Sequence, residues 1–180
     1  ELRRIFTRIG LGTWIRLRPR VRSHSVDAVL NAVEILAAKR CGCLIVFGRN
    51  IGLNTIVETG TRLNADLSSS LILTVFTENT PLHDGALVVV EDKAVAAGCF
   101  LPLSEQPDIR RSFGTRHRAA LGLAEETDAV VLVVSEENGS VSLAYDANLL
   151  YDLPHEELAS RLRRLLEYNA EHMEEGSVEA

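Results

Sequence analysis

The chain has 180 residues, 46% of them hydrophobic, with a mean hydropathy of +0.07 and a formal net charge of −6. That length suits one domain with a substantial core, and the apolar content excludes a disordered chain. The acidic balance argues against general nucleic-acid binding, which needs a basic surface, so any anion site has to be local.

Residues 1–22 carry seven arginines and no lysine or aspartate, and read as a basic, partly helical lead-in ending near Pro19. The Gly-x-Gly at 10–12 lacks a preceding strand and the rest of a dinucleotide fingerprint. No signal peptide is recognisable there, and the longest apolar runs, such as AVVLVV at 129–134, are too short to span a bilayer. Residues 25–40 are apolar at 26, 29, 30, 33, 36 and 37, a helical spacing. Ser25 is the candidate cap of that helix, Asp27 falls in its first turn, and Gly42 is the expected stop. CLIVFG (43–48) reads as a buried strand, TIVE (55–58) as a second short strand, and 62–76 as a helix running into apolar sequence.

Beyond the break at TPLHDG, ALVVVED and AVAAGCFLPL read as paired strands with Lys93 near the turn. A helix begins around GTRHR, with Thr115 as the candidate cap, and the strand AVVLVVS follows. Asn138-Gly139 predicts a hairpin turn into SVSLAYD, and after Pro154 an amphipathic helix covers 155–168. Together these predict an α/β fold: a mixed central β-sheet flanked by helices, in a single globular domain over 23–168. Residues 169–180 read as a frayed tail.

The three cysteines, Cys41, Cys43 and Cys99, fit reduced thiols in strands, and a Cys-x-Cys without partner ligands reads as core packing. His24, His155 and His172 sit in polar or terminal contexts and read as surface residues. No Gly-x-x-x-x-Gly-Lys-Ser/Thr occurs, which excludes a P-loop.

Three stretches could carry chemistry. In TPLHDGALVV, Asp-Gly alone is an ordinary turn. The same residues also offer His83 as a metal ligand and Asp84 as a proton acceptor, with Gly85 admitting a ligand close to the backbone. In GTRHR, Arg116, His117 and Arg118 crowd the positive end of a helix, which normally attracts Asp or Glu. A solvated basic helix end is one account. A bound phosphate is the other, since arginine forks and helix-start N–H groups both match its oxygens. Ser135-Glu136-Glu137 closes a strand, as a polar end leading to the turn or as ligand-facing groups at the sheet edge.

In order and spacing, LHDGALVV, CFLPLS and GTRHRAALGLAEETDAVVLVVSEENG resemble the diadenylate cyclase domain family from about residue 24 to 155. The family's Asp-Gly-Ala and Arg-His-Arg motifs stand here as Asp84-Gly85-Ala86 and Arg116-His117-Arg118. The resemblance implies condensation of two ATP into cyclic di-AMP and two pyrophosphates by a face-to-face homodimer, with those six residues catalytic. It implies that Asp84 activates a ribose 3′-hydroxyl and that His83 helps hold a divalent metal, Mn²⁺ or Mg²⁺ with Co²⁺ as a third candidate. Thr115, Arg116, Ser135 and Glu136 would line the triphosphate or its metal, and Gly85, Phe100 and Leu101 would contact the nucleoside. The family commonly has Tyr where Phe100 stands and Asp where Asn64 stands.

The lead-in is similar to the segment that follows three transmembrane helices in the membrane-bound CdaA branch. The resemblance therefore implies a cytosolic domain held at the membrane only through an N-terminal region outside this chain. The branch with a DNA-scanning extension is disfavoured, nucleic acid is not an expected partner, and no regulatory protein is identifiable. A non-catalytic adenine-nucleotide sensor using the same pocket is the competing reading, and intact Asp84 beside intact arginines favours the enzyme.

Overall fold

In the computed structural model, which describes residues 23–106 and 113–175, one seven-stranded sheet runs in the order β2-β4-β3-β1-β5-β6-β7. The strands are β1 (Cys43–Gly48), β2 (Thr61–Asp66), β3 (Ala86–Val90), β4 (Lys93–Cys99), β5 (Val130–Val134), β6 (Val141–Tyr145) and β7 (Asn148–Leu150). The helices are α1 (Ser23–Lys39), α2 (Asn54–Val57), α3 (Ser69–Val75), α4 (Thr115–Glu126) and α5 (His155–Glu175). Only the central β1–β3 pair is parallel, so the sheet is mixed, as the hairpin signals predict.

Strands β1, β3 and β5 are apolar throughout because both faces of the sheet are covered. Alternate residues serve opposite faces. Ile45, Phe47, Leu87 and Leu132 pack with Val29, Val33, Ile72, Leu158 and Leu162 of α1, α3 and α5. Leu44, Val46, Val88 and Val131 pack with Val57 of α2 and with Ala120 and Leu123 of α4. The protein is therefore a helix–sheet–helix sandwich.

Several local expectations are corrected by the fold. Ser25 lies inside α1 and donates its hydroxyl to Asp92 at 2.6 Å instead of capping. The helix stops at Arg40 rather than Gly42: Arg40 is left-handed (φ 54°), and the N–H groups of Arg40 and Cys41 return to Ala37 and Leu36. That is a Schellman closure, with a non-glycine residue in the glycine position.

TIVE is a single helical turn, not a strand. Folding Leu53 and Val57 into one compact turn buries both and overrides the β-propensity of Thr55 and Ile56. Within 62–76, the first residues are the edge strand β2, with Leu63 and Ala65 half-buried between exposed neighbours. Asn64 takes a left-handed conformation (φ 49°) where the β2–β4 register shifts, a bulge that Asn tolerates well. Ser68 then caps α3, accepting from the Leu71 N–H. Helix α5 runs to Glu175, past the expected limit at 168, while 1–22 lies outside the described residues.

Candidate active site

Sheet topology brings the three chemical stretches together. Because β1 and β3 are parallel and β4 and β5 run against them, the starts of β1 and β3 share an edge with the ends of β4 and β5. The register makes this concrete: Cys43 pairs with Val134, and Ala86 pairs with Cys99. Asp84-Gly85, Phe100-Leu101 and Ser135-Glu136 therefore emerge side by side, and the start of α4 faces the same edge. The result is a cavity of about 430 Å³, in the size range of small-molecule sites.

Its polar wall is Asp84, Thr115, Arg116, Ser135, Glu136 and Glu137, and its apolar floor includes Leu44, Cys99, Ala119 and Val134. Phe100, 67% exposed, stands at the mouth with Leu101 and Leu103. The Phe100 N–H donates to the Thr59 hydroxyl at 2.9 Å, which fixes the backbone beneath the ring.

Gly85 has φ +132°, and a Cβ there would lie 2.6 Å from the Gly98 carbonyl carbon and 2.9 Å from Cys99 backbone atoms. Only glycine lets the chain carrying Asp84 cross so close to the end of β4.

Helix α4 begins one residue earlier than a Thr115 cap requires. Gly114 is the N-cap, its backbone extended, and no side chain caps the helix. The first-turn N–H groups thus face the cavity without a side-chain acceptor, an arrangement suited to an anion.

The next three residues diverge by about 100° each. Arg116 turns into the cavity and pairs with Glu136. His117 is buried: its ring stacks on Phe113 at 5.3 Å, meets Tyr151 at 5.7 Å, and places Nε2 3.3 Å from the Ser142 hydroxyl. Burial lowers the His117 pKa, with the nearby Glu137 charge opposing the shift. Arg118 points to the loop over 101–106 and donates to the Ser104 carbonyl at 3.4 Å, while the Ser104 N–H returns to the Arg118 carbonyl. Gly122, one turn on, keeps that loop against the helix, since a Cβ would meet the Pro102 carbonyl oxygen at 2.3 Å.

The structure thus gathers Asp84, Gly85, Phe100, Leu101, Thr115, Arg116, His117, Ser135 and Glu136 around one cavity. Ala86 stands apart, fully buried among Val88, Ala96 and Cys99. Arg118 serves the neighbouring loop. His83 lies beside Asp84, and its Nδ1–H donates to the Thr80 carbonyl. That bond leaves Nε2 as the ring's electron-pair donor, the tautomer a metal-ligating histidine needs. Among the described residues no three His, Cys, Asp or Glu side chains cluster as a ready metal cage. The cavity wall itself offers the Asp84, Glu136 and Glu137 carboxylates, hard oxygen donors of the kind that suit a hard divalent cation, while His83 is not among its lining residues.

Leu44, Cys99 and Val134 were not foreseen as wall residues, because they look like ordinary strand residues, whereas Glu137 belongs to the stretch 135–137 that the sequence singles out. Burial pushes the Cys43 thiol up to about 12 and the Cys99 thiol up to about 11, so both stay neutral.

Residues 30–149 match the family model for DAC, the DisA bacterial checkpoint controller nucleotide-binding domain. The chain is 40% identical over 166 residues to the cyclic di-AMP synthase CdaA of Bacillus subtilis, covering 90% of this chain and 61% of that protein. It is 40% identical over 162 residues to a diadenylate cyclase of Listeria monocytogenes, covering 88% of this chain and 59% of the relative. The chain therefore spans about three-fifths of the length of these relatives. Among solved structures, DacA from Staphylococcus aureus, a double mutant, superposes with a TM-score of 0.78 at 41% identity over 79% of this chain and 95% of that one. A protein from Bacillus cereus described as a hypothetical membrane spanning protein gives 0.70 at 42% identity, covering 72% of this chain and 64% of that one.

Proposed function

This chain belongs to the diadenylate cyclase domain family, and on that premise we propose that it condenses two ATP molecules into cyclic di-AMP with release of two pyrophosphates. One observation carries the reading. Asp84 and Arg116, from motifs some thirty residues apart, line one cavity beside a helix start that no side chain caps.

The triphosphate lies along the start of α4, where Arg116 and the free N–H groups neutralise its oxygens, and Thr115 and Ser135 add hydroxyl donors. Phe100 and Leu101 at the mouth offer apolar surface to the nucleoside. Asp84 accepts the proton of a ribose 3′-hydroxyl. The 3′-oxygen then bonds to the α-phosphorus of the other ATP, the bond between that phosphorus and the β-bridging oxygen breaks, and pyrophosphate leaves. Repetition in the opposite sense closes the ring. A divalent ion would be held by His83 and Glu136, and it would supply charge neutralisation at the phosphates.

Each chain offers one Asp84, one Arg116 and one Ser135–Glu136 edge, and the product is two-fold symmetric, so two chains meet with their cavities opposed. No helix among the described residues is long and apolar enough to cross a membrane. The likeness to a protein described as membrane spanning supports attachment of the whole protein at the membrane through a region outside this chain.

Incubation with ATP and Mn²⁺ or Mg²⁺, with products resolved chromatographically, tests the reading. Cyclic di-AMP is the expected product. Asp84→Asn keeps the shape but loses the proton acceptor, so turnover falls by about 10²–10⁴-fold while ATP binding persists. Binding without product under either ion, in wild type as in the variant, favours the nucleotide sensor instead.

A further inference from the structure

Gly42, the residue just before β1, stands next to Arg116 and Glu136. A Cβ built on it would lie 2.8 Å from Arg116 Cζ, 2.9 Å from Arg116 Nη1 and 3.0 Å from Glu136 Oε2. The guanidinium therefore rests on the bare backbone of Gly42 while it reaches Glu136 and the cavity.

The other close-packed glycines differ in what they touch. At Gly60, Gly85 and Gly122 the nearest obstacles include backbone atoms, of Ala97, of Gly98 and Cys99, and of Pro102 and Ser104, so those positions serve the fold. At Gly42 the three nearest atoms all belong to the ends of two flexible side chains, both in the cavity wall. Its φ lies outside the left-handed region, so alanine can adopt its backbone. A methyl group here moves Arg116, not the chain.

We propose that Gly42 is a positioning residue: its missing side chain is the space that lets the Arg116 guanidinium lie against the start of β1 and reach Glu136, aimed at the substrate phosphates. The proposal deepens the reading of Arg116 as a phosphate ligand and rests on it for the binding effects. Sequence alone presents Gly42 as a helix stop, a task that Arg40 performs.

The test compares Gly42→Ala, Arg116→Ala and the double variant, using 3′-deoxy-ATP as a probe that binds but lacks the nucleophile. Gly42→Ala should melt within about 2 °C of wild type, since only side-chain ends have to move. It should bind the probe about tenfold more weakly, comparable to losing one charge-assisted hydrogen bond. In the Arg116→Ala background the same change should have no further effect on binding, because the group it displaces is gone.

A readout without nucleotide completes the test: the Arg116 Nε–Hε resonance of the free protein should shift in Gly42→Ala. If wild type binds no probe, the ATP reading fails and the resonance alone decides the positioning role. An unmoved resonance overturns the proposal. So does equal weakening of binding with and without Arg116, or a Gly42→Ala chain that melts far below wild type.

Discussion

Arg116 is the second residue of α4, where the helix dipole disfavours a cation, and Glu136 across the cavity offsets that cost. The Arg116 side chain is 23% exposed and that of Glu136 62%, so the pair is a partly solvated one, worth at most about 1 kcal/mol. Two small and opposed effects make the arginine nearly neutral to the free fold. A phosphate changes the balance, because it offers the guanidinium a more highly charged partner whose oxygens match its fork. Arg116→Ala is therefore expected to change the stability of the nucleotide-free protein by less than about 1 kcal/mol in either direction. The same variant should bind ATP about 1.5–3 kcal/mol more weakly. Thermal melts with and without ATP check both halves, and a strongly destabilised free variant would mean that the arginine serves the fold.

Helix α4 distributes one short motif over three tasks. Arg116 faces the cavity, His117 anchors the helix to Phe113, Tyr151 and Ser142, and Arg118 holds the loop after β4. The anchoring histidine gives the fold a pH signature. Burial lowers its pKa below the ordinary 6.5, so the folded state holds it neutral while the unfolded chain takes up a proton more readily. The unfolded state then binds more protons below pH 6.5, and stability falls as the medium is acidified from that point toward the lower folded pKa. Asp128 does not overlap this window. Desolvation raises its pKa, but N–H bonds from Ile51 and Asn50 outweigh it and hold the carboxylate below 3.8. Its contribution is present above that value and is lost only in stronger acid. Urea midpoints measured from pH 7.5 to 5 should decline for wild type and decline less steeply for His117→Gln, though the variant starts lower.

The whole molecule presents its cavity at one edge of the sheet, with the exposed Phe100 and Leu103 at the mouth. On the proposed reading, one ATP site per chain and a product made from two substrates bring two chains into contact. An interface whose centre is a polar, hydrated pocket is weak when empty. Initial rate is therefore expected to rise more steeply than linearly with protein concentration below the dimerisation constant, and ATP should promote dimer in sedimentation. Strict linearity down to nanomolar protein, with only monomer beside ATP, would sink the face-to-face arrangement.

Local chemistry determined much of this protein in the sequence itself. The apolar runs at 43–48, 86–90 and 130–134 are strands buried on both faces, and Asp84-Gly85 and Arg116 pointed to the cavity, the arginine through its cost at a helix start. The hairpin between β5 and β6 was legible too, through Asn138-Gly139, and Gly139 takes the left-handed φ of 78° that such a turn uses. Tertiary structure decided the rest. Sequence could not say that TIVE coils into a turn or that β2 is an edge strand, because both follow from the space their neighbours leave. It could not divide Arg116, His117 and Arg118 among cavity, core and loop, which depends on how α4 is rotated against the sheet. Nor could it place Gly42 under Arg116, since residues more than seventy positions apart meet only because β1 starts at the edge where β5 ends.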